Sequence, residues 1–124
     1  MHAHDIAHVR LFRQGIAEQP FADATEVVRW LTAVQAQDYA VARWSVAQRA
    51  RAIGPGAIDT ALANGSIVRT HVLRPTWHFV AAEDLRWMQT LTAPRVQAIS
   101  AYGRRQNGLD TQVLARAEAA LERA

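Results

Sequence analysis

The 124-residue chain has no cysteine and no lysine. Without thiols it can form neither a disulfide nor a thiolate metal site, which fits a reducing compartment and leads us to expect a cytoplasmic protein. No apolar run approaches the length needed to span a membrane, and the opening "MHAHDIAHVR" lacks the apolar core of a signal peptide. No glycine-rich phosphate loop follows a strand, and "GPG" at 54–56 reads as a chain breaker. His4 and His8 lie four apart with His2 nearby, but no His-Glu-x-x-His motif or Ser-His-Asp arrangement accompanies them. No metal and no cofactor is expected. Internal repeats, low-complexity tracts and long linkers are lacking too, so a single domain accounts for the length.

What is present is arginine, alanine and a modest apolar content. All 14 basic residues are arginine, against 11 acidic ones, for a formal net charge of +3. Arginine pairs bidentately with phosphate and stacks on bases, which leans towards a nucleic-acid partner. A GC-rich genome would enrich arginine and alanine in the same way, so charge alone decides little.

Helical spacing of Ile6, Val9, Leu11, Phe12 and Ile16 predicts a first helix over 4–17. Pro20 breaks the pattern, and Asp23 or Thr25 can cap a second helix carrying Val27, Val28, Leu31 and Val34. A third helix is predicted from Tyr39 to about Arg51. A short one follows, with Ile58, Ala61 and Leu62 inward and Asn64-Gly65 as its stop. "SIVRTHVLRPTWHFV" is rich in β-branched and aromatic residues and predicts a β-hairpin with strands near 67–72 and 76–80. Glu83 and Asp84 open another helix with Leu85, Met88 and Leu91 on one face. Pro94 is expected to start a separate helix to about Gln106, and a last one covers 111–124. The fold class predicted is mainly α with a small β-hairpin, in a winged helix-turn-helix architecture.

Two features can carry chemistry. The hairpin bears Arg69, His71, Arg74 and His78 on a narrow ribbon that could lie along a nucleic-acid groove, or be an ordinary solvated wing with Trp77 and Phe79 in the core. In "TAVQAQDY", Gln35 and Gln37 sit one residue apart in an apolar run. An extended backbone would turn both amides to one side, whereas a helix would set them about 200° apart. A neutral amide donates and accepts hydrogen bonds but is a poor general base, so any bond broken beside the pair needs a good leaving group. By residue type alone the pair also reads as ordinary solvated amides.

"VVRWLTAVQAQDYAVARWSVAQRAR" and "IDTALANGSIVRTHVLRPTWHFVAAEDLRWM", in that order, resemble the winged-helix DNA glycosylase family that includes AlkZ and YcaQ. The likeness runs from about Leu11 to Asp110. The resemblance implies hydrolysis of the N-glycosidic bond of alkylated bases, N7-alkylpurines and crosslinks among them, in double-stranded DNA. It also implies catalysis by a Gln-hydrophobic-Gln motif, matched here by Gln35-Ala36-Gln37. "RPTWH" is similar to the family's Arg-Gly-Thr-x-His stretch, with Pro75 at the usual glycine, and implies Arg74, Thr76 and His78 at the rim of the site. With Arg69 these are the candidate DNA-binding residues. Family members are several times longer, so residues 1–124 are expected to be the N-terminal winged-helix domain of a longer protein, inactive alone. The rival expectations are a non-enzymatic DNA-binding or regulatory module, and self-association through apolar surface.

Overall fold

The computed structural model describes residues 3–51, 53–54, 56–74 and 76–124; His2 and the Pro75 departure lie outside them. Helix α1 is Ala3–Arg13, shorter than the spacing predicts. Gly15 ends it: its φ is +68°, and its N–H donates to the Phe12 carbonyl at 2.9 Å. A Cβ at this position would fall 2.6 Å from Phe21 Cε2, so glycine is required both for the left-handed turn and for the close approach. The end of α1 is tied down by Arg49, only 7% exposed, whose Nε and Nη2 donate to the Gln14 backbone and side-chain oxygens at 2.9 and 3.2 Å. Burial pushes this guanidinium pKa down, and carbonyl oxygens rather than a carboxylate offset the desolvation.

Helix α2 is Ala24–Leu31, and Asp23 rather than Thr25 caps it by accepting from Glu26 N–H at 2.9 Å. Thr25 instead meets the Ser66 hydroxyl at 3.2 Å. The helix stops before Val34, because Thr32 takes φ +65° and turns the chain. A β-branched residue in that region is strained by roughly 1–3 kcal/mol. A short strand follows, β1, Ala33–Gln35, where the periodicity had suggested continuing helix. Helix α3 is Tyr39–Ala47 and α4 is Ala57–Ala63. Strands β2, Ile67–Val72, and β3, Thr76–Ala81, form the predicted hairpin, and β1 adds to the free edge of β3 in antiparallel order β1-β3-β2.

A single 3₁₀ turn at Ala82–Asp84 leads into α5, Leu85–Gln106, and Asp110 caps α6, Thr111–Leu121. Pro94 does not start a helix; it lies inside α5. Proline there removes the bond to the Thr90 carbonyl, which is tolerable because both residues are exposed and water can satisfy the oxygen. The predominantly helical chain with one small hairpin is as predicted.

The register places every sheet residue on one of two faces. Val34 opposes Phe79, which opposes Arg69, while Gln35 opposes His78, which opposes Thr70. Directly opposed residues share a face. The first face, with Val34, Ala36, Ile67 and Phe79, is buried with Val27, Val28, Val46 and Ile58 of α2, α3 and α4. The second carries Val72 and Val80 and is covered by Met88 and Leu85 of α5. No described helix is long and apolar enough to cross a membrane.

Candidate functional site at the edge of the sheet

From Val34 to Gln37 burial alternates strictly: Val34 and Ala36 are buried, Gln35 and Gln37 exposed. The backbone is extended at Gln35 and again at Asp38, which has φ −92° and ψ 114°. The segment is therefore not helical through the pair: both amides are exposed on either side of the buried Ala36, and the chain bends at Gln37. The register places Gln35 on the α5 face of the sheet, with His78, Thr70 and Thr76. Asp38 is a helix cap: its Oδ1 accepts from Val41 N–H at 3.0 Å and starts α3 immediately after the pair.

The ladder between β1 and β3 continues for half a step past Gln35. Ala36 N–H donates to the Trp77 carbonyl at 2.8 Å. The reciprocal bond of an antiparallel pair would run from Trp77 N–H to the Ala36 carbonyl. Instead Trp77 N–H donates to Gln37 Oε1 at 3.3 Å. Only the oxygen of the amide can accept this bond, so the contact orients Gln37 with its NH₂ group turned away from the sheet. Among the described residues Gln35 has no side-chain hydrogen bond, which leaves its whole amide edge open.

The candidate DNA-binding residues are placed differently from one another. Arg74 is exposed in the hairpin turn, next to Leu73 at φ +63°. Arg69 is half-buried, and both its Nε and Nη2 donate to the Ala36 carbonyl, at 3.2 and 3.0 Å. His78 is only 4% exposed, with Nδ1 at 2.8 Å from the Thr76 carbonyl. Because a carbonyl oxygen can only accept, Nδ1 is the donor in that bond. Thr76 Oγ1 is buried and has no hydrogen-bond partner among the described residues. Thr76→Val, which replaces that hydroxyl by a methyl, is expected to leave Tm unchanged or to stabilise by up to about 1 kcal/mol, as thermal unfolding would show. A clear fall in Tm would mean that the hydroxyl is bonded in the fold.

Behind the pair, Tyr39 completes a second network that sequence spacing did not reveal. Its hydroxyl donates to Asp59 of α4, whose other oxygen meets Arg43 Nη2 at 3.0 Å. The ring packs edge-on against Phe79 at 5.8 Å. The bond to Asp59, helped by burial and by the carboxylate's charge, raises the phenol pKa against the opposing influence of Arg43 and Arg69. A raised folded-state value means that the neutral phenol stabilises the fold below the unfolded value of about 10, and that this is lost as pH rises through the folded value. In a Tyr102→Phe variant, where Tyr39 is the remaining tyrosine, absorbance titration should give a midpoint above about 10. Adding Asp59→Asn should bring it down; an unmoved midpoint would refute the contact.

Among the described residues no group of three His, Asp or Glu side chains could hold a metal ion. A hollow of about 260 Å³ lined by Phe12, Gly15, Pro20, Phe21 and Trp30 lies between α1 and α2, and none of the candidate residues lines it. The glutamine pair stands instead at the exposed end of the edge strand β1.

Neither a curated protein nor a solved structure matches the chain. The family described as DNA glycosylase AlkZ-like matches residues 28–124, a span that begins within α2 and takes in the glutamine pair, the whole sheet, α5 and α6. With a match over most of its length, the chain belongs to the AlkZ-like DNA glycosylase family.

Proposed function

We propose that the chain carries the catalytic residues of a monofunctional DNA glycosylase that releases cationic alkylated purines from double-stranded DNA. The observation that carries this reading is the pair Gln35 and Gln37, both exposed around the buried Ala36 at the end of the edge strand, with Gln37 bonded to the hairpin. The order α2-β1-α3-α4-β2-β3, with β1 on the hairpin's edge, supports reading the domain as a winged-helix unit whose wing meets the duplex.

The chemistry follows from what neutral amides can do. An N7-alkylated guanine already bears a positive charge, so as the bond from the sugar to N9 lengthens the base takes the electron pair and leaves neutral. Positive charge then develops on the sugar. In this reading the NH₂ of Gln37, whose Oε1 is taken by Trp77, donates to the oxygen of an attacking water. The open carbonyl of Gln35 accepts one of that water's hydrogens and turns the negative end of its dipole towards the sugar cation. Water adds to the sugar carbon, and its proton passes to solvent, since a carboxamide cannot keep it. Arg74, exposed at the hairpin turn, contacts phosphate, whereas His78 and the Thr76 hydroxyl lie buried and support the strand beneath the pair.

The test is release of 7-methylguanine from a duplex by the complete gene product, compared with variants at Gln35 and Gln37. Undiminished release by Gln37→Ala would sink the assignment. A non-enzymatic DNA-binding module would instead bind the duplex tightly and excise nothing. Self-association has one observation in its favour: Leu91, Ile99, Tyr102 and Leu121 of α5 and α6 are all at least half exposed. A monomeric mass by light scattering would remove it.

A further inference from the structure

The geometry points to Arg69 as a positioning residue that sets the direction of the Gln37 amide, rather than a phosphate ligand. It does so by withdrawing the Ala36 carbonyl from the sheet. Arg69 lies on β2, on the face opposite Gln35, and its side chain reaches across β3 to the edge strand. There its guanidinium makes two bonds to one carbonyl oxygen, that of the residue between Gln35 and Gln37. A backbone carbonyl held by two charged donors is no longer available to the Trp77 N–H that a regular antiparallel pair would give it. Trp77 N–H turns to Gln37 Oε1, and the Gln37 NH₂ is thereby aimed outward.

Arg69 also meets two aromatic rings. Its guanidinium lies over the Trp77 ring at 4.6 Å and the Tyr39 ring at 5.7 Å. The column extends to His71, whose ring centre is 4.1 Å from that of Trp77, and to Arg43, 5.5 Å above Tyr39. A guanidinium held over two rings and bonded twice to one carbonyl loses less freedom than a lysine ammonium, which could not reproduce both contacts. This column lies on the buried-core side of the sheet, and its effect reaches Gln37 through a single peptide group.

The catalytic part of this inference rests on the glycosylase reading; the structural part does not. Two measurements keep them apart. In amide correlation spectra of Arg69→Met, the Trp77 backbone and Gln37 side-chain NH₂ signals should move, while the core amides of Val28 and Val46 stay in place. Unmoved signals overturn the positioning role, whatever the enzyme does. In the complete gene product, Arg69→Met should lower the single-turnover release of 7-methylguanine by about 10- to 100-fold, with duplex affinity changed less than about twofold and its salt dependence unaltered. Arg69→Lys, which keeps the charge and the fold, should recover only part of the rate. A phosphate ligand would behave oppositely: affinity would fall and the salt slope would drop by about one, as expected for Arg74→Gln. That outcome would also overturn the inference. Loss of activity in Gln37→Ala but full activity in Arg69→Met would leave the glycosylase reading standing and remove Arg69 from it. Full activity in Gln37→Ala would remove the glycosylase reading, with the spectra still deciding the role of Arg69.

Discussion

Gln37→Ala should lower the rate of 7-methylguanine release by about 10²- to 10³-fold, the size seen when one preorganised dipole is removed from a developing charge. The fold should scarcely notice. Gln37 is exposed, and among the described residues its side chain gives up one long hydrogen bond, 3.3 Å, to the Trp77 N–H. That N–H lies at a sheet edge where water can replace the amide, so the expected loss of stability is below about 1 kcal/mol. Gln35→Ala should be silent in stability, because the Gln35 amide bonds nothing within the described residues. Its effect on rate should be comparable. If the two amides hold one water between them, the double variant should be little slower than either single one, since removing either partner already releases the water. Additive losses would mean that the residues act on separate groups. Equal loss of Tm and rate in Gln37→Ala would mean that the residue is structural only.

The largest effect on stability is expected at Phe79. It is fully buried, sits at the centre of β3 between β1 and β2, and packs against α2 and α3 side chains on the core face. Phe79→Ala removes a whole ring from a site that cannot collapse around the gap, a loss of about 3–5 kcal/mol. Against a total of about 5–15 kcal/mol for a domain of this kind, the variant should melt at least about 10 °C lower or be largely unfolded at 37 °C. Phe79→Leu keeps most of the volume and should cost less than about 1.5 kcal/mol in Tm-derived stability. The consequence reaches the site, because Tyr39 rests edge-on on the Phe79 ring and Arg69 lies over Tyr39. Phe79→Leu should therefore soften the column behind Gln37 even while the fold survives. A Phe79→Ala variant with wild-type Tm would contradict the burial described here.

Much of this was legible in the residues. The hairpin strands were found within a residue, because β-branched alternation bounded by Gly65 and the turn at 73–74 leaves few other conformations. Asp23 was one of two caps offered for α2, and the structure selects it over Thr25; the capping role of Asp38 was not legible. What escaped was β1. Three residues are too few to display a period of two, and Ala33-Val34-Gln35 continues the apolar stripe of α2 without a visible break. Its strand character comes from an edge offered by β3, some forty positions later, and from the turn forced at Thr32. Pro94 misled for the opposite reason: a strong local breaker was overridden inside a helix anchored at its other end by Met88 and Leu85.

By itself the sequence determined the class of the fold, the hairpin and the presence of two amides one residue apart. Those depend on neighbours in the chain, where propensity and spacing act directly. Only the tertiary structure decided which way the amides face. Whether Gln35 and Gln37 converge or diverge depends on one peptide group at Ala36. That group is held by Arg69 from 33 positions away and by Trp77 from across the sheet, and no local pattern encodes a carbonyl drawn out of its ladder by a distant guanidinium.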